Sequence, residues 1–262
     1  MKKIFINGVW KSGNHLIYSA LNTLGLKGPT IGFASHLLKG KLTILKKIMR
    51  SRSINNKNKI DIGLDTICEI DKSWIKKKIT TNKNHIIGGH CKYSEGFDNL
   101  INECDLKKII ILRDPRDILL SFCDWIKKEK DYFLFDHFYN KSNVYIIESL
   151  LNGFTYKKTK FYSFKTTLKG FNGWLNTNNK LIIKYEELIN NKTNSEKLNL
   201  LSKKIVNFLE FNSIEKLDRE KYFGKSKTFM IGKENRWKRY ERKDLIKKIE
   251  YNCNDEIKKW GY

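Results

Sequence analysis

The chain has 262 residues, enough to bury a full core in one domain or in one domain with insertions. Its hydrophobic content of 40%, with fifteen Phe, twelve Tyr and six Trp, excludes wholesale disorder. Lysine and arginine number 52 against 28 acidic residues, an excess of +24 that suits an anionic partner, although lysines spread among Asn and Ile also arise from AT-rich coding sequence alone.

Along the chain, Ile4 to Trp10 is an apolar run that reads as a buried strand. It is too short for a signal peptide, and no stretch reaches the ~18 apolar residues that cross a bilayer, so a soluble, cytoplasmic protein is expected. Gly8 and Gly13 bracket a turn, and a helix pattern follows through Leu16, Ile17, Ala20, Leu21 and Leu24, closing at Gly25 and Gly28. Residues 39–59 are basic and rich in Asn and Ser. A lid helix, a flexible insertion and a helix lying on an anionic membrane surface all fit that composition; a mobile insertion fits best.

A short strand, His85 to Gly88, ends in Gly88-Gly89-His90. A third, Lys107 to Leu112, is a continuous Ile/Leu run of the kind a parallel sheet covers on both faces. Arg113-Asp114-Pro115-Arg116-Asp117 follows, with Pro115 suited to a helix first turn, and a helix runs through Ile126. Two helical stretches are predicted over 143–176, with Phe161, Phe164, Leu168, Phe171 and Leu175 as one core stripe. Leu181 to Lys184 is a strand, and Tyr185-Glu186-Glu187-Leu188 follows it. Leu198, Leu201, Ile205, Phe208 and Leu209 mark an amphipathic helix, and a last helix carries Leu245 to Trp260. Strands alternating with helices predict an α/β fold, a single domain over 1–262 with a central parallel sheet flanked by helices. Cys68, Cys91, Cys104, Cys123 and Cys253 are odd in number with no two-apart pairs, which argues against a disulfide framework and a structural zinc site.

The first turn carries chemistry. Trp10-Lys11-Ser12-Gly13-Asn14-His15 lies between a strand and a helix, where free amides and the helix dipole favour an anion. Lys11 adds a charge, and Ser12 and Asn14 add polar side chains. The Gly-x4-Gly-Lys-Ser/Thr order of nucleotide triphosphatases is absent. Lys-Ser-Gly followed by Asn resembles instead the 5′-phosphosulfate loop of the cytosolic-type sulfotransferases, which use 3′-phosphoadenosine 5′-phosphosulfate (PAPS) and release adenosine 3′,5′-bisphosphate (PAP).

Three further segments are similar to that family in the same order. Arg113 at a strand end and Ser121 eight positions later resemble its 3′-phosphate site, where a guanidinium fork and a hydroxyl grip phosphate. Tyr185 resembles its adenine-side tyrosine. Phe229 to Lys238 resembles a degraded form of its C-terminal Arg-Lys-Gly…Trp segment: Gly232, Lys233 and the tryptophan remain, but Ile231 stands where a base is expected, and Lys233 or Arg236 are the substitutes. Two other departures are Gly88, where the family often has lysine, and Leu16, where it often has an adenine-stacking tryptophan. The resemblance implies a P-loop-like sulfotransferase fold, with Lys11, Ser12, Gly13, Asn14, His15, Arg113, Ser121, Tyr185, Gly232 and Lys233 around the donor and no metal.

The same resemblance makes His90 the general base, with an imidazole pKa suited to taking the acceptor's proton. It makes Lys11 the group that stabilises the bridging oxygen of the donor, held back by Ser12 until acceptor arrives. His15 is the rival histidine and reads as a donor to the sulfate; His36 and His137 have no supporting context. The acceptor is expected to offer a hydroxyl or amine, and a carbohydrate or glycoconjugate is preferred, with a phenol or a lipid headgroup left open, lined by segments 29–84 and 127–176 with Lys46, Lys47, Trp125, Tyr132 and Phe135. A P-loop kinase is the enzymatic alternative, with Asp114 as its one candidate magnesium ligand. A basic nucleic-acid binder is the other, but no recognition motif accompanies the charge.

Overall fold

A computed structural model of the chain describes residues 3–29, 31–34, 58–189, 195–211, 216–224 and 234–262. Nine strands follow in chain order: β1 (Ile4–Gly8), β2 (Ile31–Ala34), β3 (Lys59–Asp61), β4 (Glu69–Asp71), β5 (Ile86–His90), β6 (Lys107–Leu112), β7 (Phe154–Tyr156), β8 (Thr159–Phe161) and β9 (Lys180–Lys184). Five of them form one parallel sheet in the order β2-β5-β1-β6-β9, while β3 with β4 and β7 with β8 make small antiparallel hairpins. The helices described are α1 (Asn14–Thr23), α2 (Lys72–Thr81), α3 (Glu95–Glu103), α4 (Pro115–Ile126), α5 (Phe135–Phe138), α6 (Asn143–Asn152), α7 (Phe164–Phe171), α8 (Tyr185–Ile189), α9 (Ser195–Leu209), α10 (Arg219–Tyr222) and α11 (Lys243–Lys259).

The sheet is covered on both faces, which is why its strands read as unbroken apolar runs. In β1, Phe5 points to one face, against Phe97 of α3 and Trp174. Its neighbours Ile4 and Ile6 turn to the other face, where Ile17 of α1, Leu188 of α8 and Ile205 of α9 pack. All three isoleucines 109, 110 and 111 of β6 are fully buried. Each such side chain contributes roughly 1.5–3 kcal/mol of burial. Lys108 in the same strand is also fully buried, and its ammonium donates to Asp98 Oδ1 at 2.7 Å and Asn102 Oδ1 at 2.9 Å on α3. A buried cation needs that pairing: loss of one partner leaves an uncompensated charge.

The sequence reading needs correction between 143 and 176. Phe161 belongs to β8, not to a helical stripe, and the β7–β8 hairpin separates α6 from α7. Trp10 falls beyond the end of β1, in the turn. The segment read as a mobile insertion, 39–59, lies almost wholly outside the described residues, as do His36, Lys46 and Lys47. Among the described residues, no helix is long and apolar enough to cross a membrane.

Candidate active site

In the sheet, β5 lies on one side of β1 and β6 on the other, so the chain switches direction around β1. The connections leaving the carboxyl ends of β1 and its neighbours therefore diverge and open a crevice, the usual ligand site of such sheets. Lys11 follows β1, His90 ends β5, Arg113 follows β6 and Tyr185 follows β9. Parallel pairing brings these four sequence-predicted residues to one edge.

The turn after β1 is tight and depends on left-handed backbone angles. Ser12 N donates to Val9 O at 3.0 Å, Lys11 has φ 63, and Gly13 has φ 112 at the start of α1. A Cβ at Gly13 would come within 2.7 Å of Tyr185 Cδ2, so the glycine meets both the backbone angle and the close approach of the β9 side. No side chain caps α1, which leaves its first amides facing the crevice. Ser12 Oγ is fully buried and has no hydrogen-bond partner among the described residues. It does not hold Lys11. The Lys11 ammonium lies instead over the Trp125 ring, 4.9 Å from its centroid, at the far end of α4.

Arg113 ties three strand ends together. Its Nη1 donates to Lys11 O at 2.9 Å, and its guanidinium lies 4.1 Å over the Tyr185 ring. Ser121 is buried near the end of the second turn of α4. Asp114 caps α4 by accepting from Arg116 N at 2.9 Å, and its carboxylate is gripped by the Arg116 side chain at 2.8–3.2 Å. Arg116 also reaches Glu250 at 2.7 Å and stacks at 3.6 Å on Trp237. The second arginine of the Arg-Asp-Pro-Arg-Asp run is thus an anchor, and Asp114 is engaged by it.

The same helix holds the C-terminal segment. Trp237 N donates to Asp117 Oδ1 at 3.1 Å, and Arg236 pairs with Asp124 at 2.6 Å. Gly232, Lys233 and Ile231 lie outside the described residues. Leu16 is buried in the core beneath α1. Gly88 is closed to a side chain, because a Cβ there would collide with the Tyr18 hydroxyl.

His90 is fixed from both sides. Its Nδ1 lies 2.6 Å from Gly8 O, a separation that makes Nδ1–H the donor and Nε2 the nitrogen carrying the lone pair. The next residue is clamped by Asn7, missed in the sequence as a positioning group: Asn7 Oδ1 accepts from Cys91 N at 2.9 Å and its Nδ2 donates to Cys91 O at 3.0 Å. Only a polar residue in an apolar strand signals it. Burial lowers the His90 pKa to about 4 against the Gly8 hydrogen bond, helped by the His15 and Lys11 charges. Lys11 is lowered to about 7 by burial and by Arg113, against the pull of Glu129 and Asp124. His15, at the exposed start of α1, is also lowered, by desolvation of its ring and by Lys11. Burial thus disfavours the charged forms of all three groups in the crevice, and their mutual repulsion adds to it.

Next to it, a narrow cleft is lined chiefly by Trp10, Phe122, Tyr132, Phe154, Phe161 and Phe164. Of the aromatic residues expected there, Tyr132 lines the cleft. Trp125 instead meets the Tyr132 ring edge-on at 4.5 Å, and Phe135 stacks on Tyr139 at 5.1 Å.

Known proteins place this architecture. The structure is similar to the mouse sulfotransferase SULT7A1 complexed with PAP, at TM-score 0.57 and 14% identity over 98% of this chain and 85% of that one. It is similar also to retinol dehydratase in complex with androsterone and inactive cofactor PAP, at TM-score 0.52 and 13% identity over 98% of this chain and 82% of that one. Among curated proteins, no sequence relative matches. The profile of the sulfotransferase domain matches residues 1–260, and the chain belongs to the sulfotransferase family.

Proposed function

We propose that the chain transfers the sulfuryl group of PAPS to the hydroxyl of a flat, largely apolar acceptor. The observation that carries this reading is the convergence of an uncapped helix start, buried Arg113 and the Nε2 lone pair of His90 on one sheet edge. The residues fit a nucleotide bearing phosphates at both ends: Ser12 Oγ is buried without a partner among the described residues, beside the uncapped start of α1. Bound PAPS supplies the sulfuryl group and the leaving 5′-phosphate.

The protein's own residues divide the remaining tasks. Ser12, Gly13 and the first amides of α1 hold the 5′ end, and Arg113 with Ser121 holds the 3′-phosphate. Tyr185 fixes the guanidinium by stacking beneath it and borders the adenine. His90 takes the acceptor's proton at Nε2 and passes its own fixed polarity to Gly8 O. Lys11 leaves the Trp125 face to neutralise charge on the leaving oxygen.

The acceptor reading follows from the cleft. Its walls are mostly rings and aliphatic side chains, with Asp65 and Thr167 as polar exceptions beside two tyrosines, so a sugar would bury several hydroxyls with few partners, each costing about 1–3 kcal/mol. A phenol or similar flat alcohol fits better than the carbohydrate expected from the sequence. Segments 29–84 and 127–176 contribute to these walls through Asp65 and through Tyr132, Phe154, Phe161 and Phe164. The kinase alternative loses its one carboxylate, since Asp114 is engaged by Arg116. A screen of phenols, alcohols and sugars with ³⁵S-labelled PAPS tests the reading: label should enter phenols first, and labelling of sugars alone would refute it.

A pH dependence follows from Lys11. An anion beside it raises its pKa above the unliganded value of about 7, so PAP binding takes up a proton near and above that pH. PAP affinity should therefore fall as pH rises from about 7 to 9, with proton uptake visible when calorimetry is repeated in buffers of different ionisation enthalpy. The Lys11→Ala variant should lose that slope.

A further inference from the structure

The chain leaving α11 returns to the strand end that precedes Tyr185. Tyr262 N donates to Ile257 O at 3.0 Å and Gly261 N to Lys258 O at 2.9 Å, with Gly261 at φ 77. This pair of bonds is the left-handed helix ending that a glycine permits, and it sets the direction in which Tyr262 leaves the helix. Lys184, the last residue of β9, holds the same place from the other side. Its ammonium donates to Gly261 O at 2.9 Å and lies 4.5 Å from the centre of the Tyr262 ring. So fixed, the Tyr262 hydroxyl donates to Glu186 Oε2 at 2.6 Å, a length typical of a hydroxyl on a charged carboxylate.

Glu186 is the residue after Tyr185, whose ring lies 4.1 Å beneath the Arg113 guanidinium. A carboxylate within the field of an arginine assigned to phosphate is a competitor for it. Burial raises the Glu186 pKa, while the Tyr262 hydroxyl, its own backbone amide and the Arg113 charge pull it back. Burial, and then the Glu186 charge, raise the Tyr262 hydroxyl in turn, so it stays a donor throughout the working pH range. Deprived of that donor, a half-buried carboxylate turns to a nearby cation, because a buried charge without a partner is costly.

We infer that Tyr262 is a positioning residue for the nucleotide: by engaging Glu186 it keeps that carboxylate off Arg113, so that the guanidinium pairs with the 3′-phosphate instead. This rests on the assignment of Arg113 to the 3′-phosphate above. Tyr262 itself touches no part of the donor. It acts through Glu186.

Calorimetric titration at pH 7 with PAP and with adenosine 5′-monophosphate, which lacks the 3′-phosphate, tests the inference. Tyr262→Phe should weaken PAP by roughly 5–20-fold and the monophosphate by less than about threefold. Glu186→Gln should bind PAP at least as tightly as the intact protein, since the amide still accepts from Tyr262 and carries no charge toward Arg113. The double variant, Tyr262→Phe with Glu186→Gln, should recover PAP affinity to within about threefold of the intact protein, a rescue that a role in folding alone would not give. Four results overturn the inference: PAP binding unchanged in Tyr262→Phe, PAP and the monophosphate weakened equally, PAP weakened by Glu186→Gln, or a double variant no better than Tyr262→Phe. An intact protein that binds the two nucleotides equally defeats the 3′-phosphate assignment itself, which separates the two failures.

Discussion

Alanine at position 90 is expected to lower kcat by roughly 10²–10⁴-fold while PAP affinity changes by less than about threefold. The reasoning starts from the backbone. Asn7 clamps Cys91 to β1, and Gly8 O holds His90 Nδ1 at 2.6 Å, so the ring cannot turn and Nε2 is committed to the crevice. At about 4, its pKa keeps the ring neutral at working pH. A base must be unprotonated, so activity should decline only as pH falls through the His90 pKa, well below the ordinary histidine range of about 6.5. Bound donor is anionic and shifts that limb upward. The variant should lose the limb altogether, which steady-state rates at saturating PAPS from pH 4.5 to 8 would reveal. PAP titration of the variant checks that the fold and the donor half survive.

The second large effect belongs to Lys11. Lys11→Ala should reduce the rate of a single turnover by roughly 10²–10³-fold, the usual loss when one preorganised charge is removed from a developing anion. Unlike the His90 change, it should also weaken PAP, because the positive loop loses its one side-chain ammonium. Removing it relieves repulsion on Arg113, so the affinity loss is the smaller effect. Lys11→Arg should not restore the rate. The ammonium now rests 4.9 Å above the Trp125 ring, and a planar guanidinium would stack there more strongly and leave it less readily.

The donor side was legible because each part is local. Strand, glycine turn and helix start are encoded within ten residues at Lys11, and Asp114-Pro115 announces the start of α4 at the end of an Ile run. The order of the sheet was legible only as a class. That β1 sits between β5 and β6, which creates the crevice, depends on pairings far apart in the chain. The β7–β8 hairpin was hidden by its own turn chemistry. Its two-residue loop, Lys157-Lys158, has φ 43 and 63, the left-handed angles that normally advertise themselves as Asn-Gly. Each strand is only three residues long, and Phe161 then falls in step with the helical spacing that follows. Helix α3 escaped for a similar reason: nine residues show the Phe97, Leu100, Ile101 spacing once.

The acceptor side was the least legible. Trp125 was expected in the pocket wall, yet it turns toward Lys11 and meets the cleft through the rings of Tyr132 and Phe122. Composition pointed to lysines and a polar acceptor, whereas the wall is assembled from phenylalanines of α4, the hairpin and α7, distant in sequence.

The central claim is that Arg113 and its neighbours hold a nucleotide by its 3′-phosphate at the edge opened beside β1. Metal-free calorimetric titration of the protein and of Arg113→Ala with PAP and with adenosine 5′-monophosphate tests it most directly. The intact protein should bind PAP at least ~100-fold more tightly than the monophosphate, and Arg113→Ala should reduce that ratio to within about tenfold of unity. Equal affinity for the two nucleotides, or a preference for PAP that survives the loss of Arg113, would contradict the account.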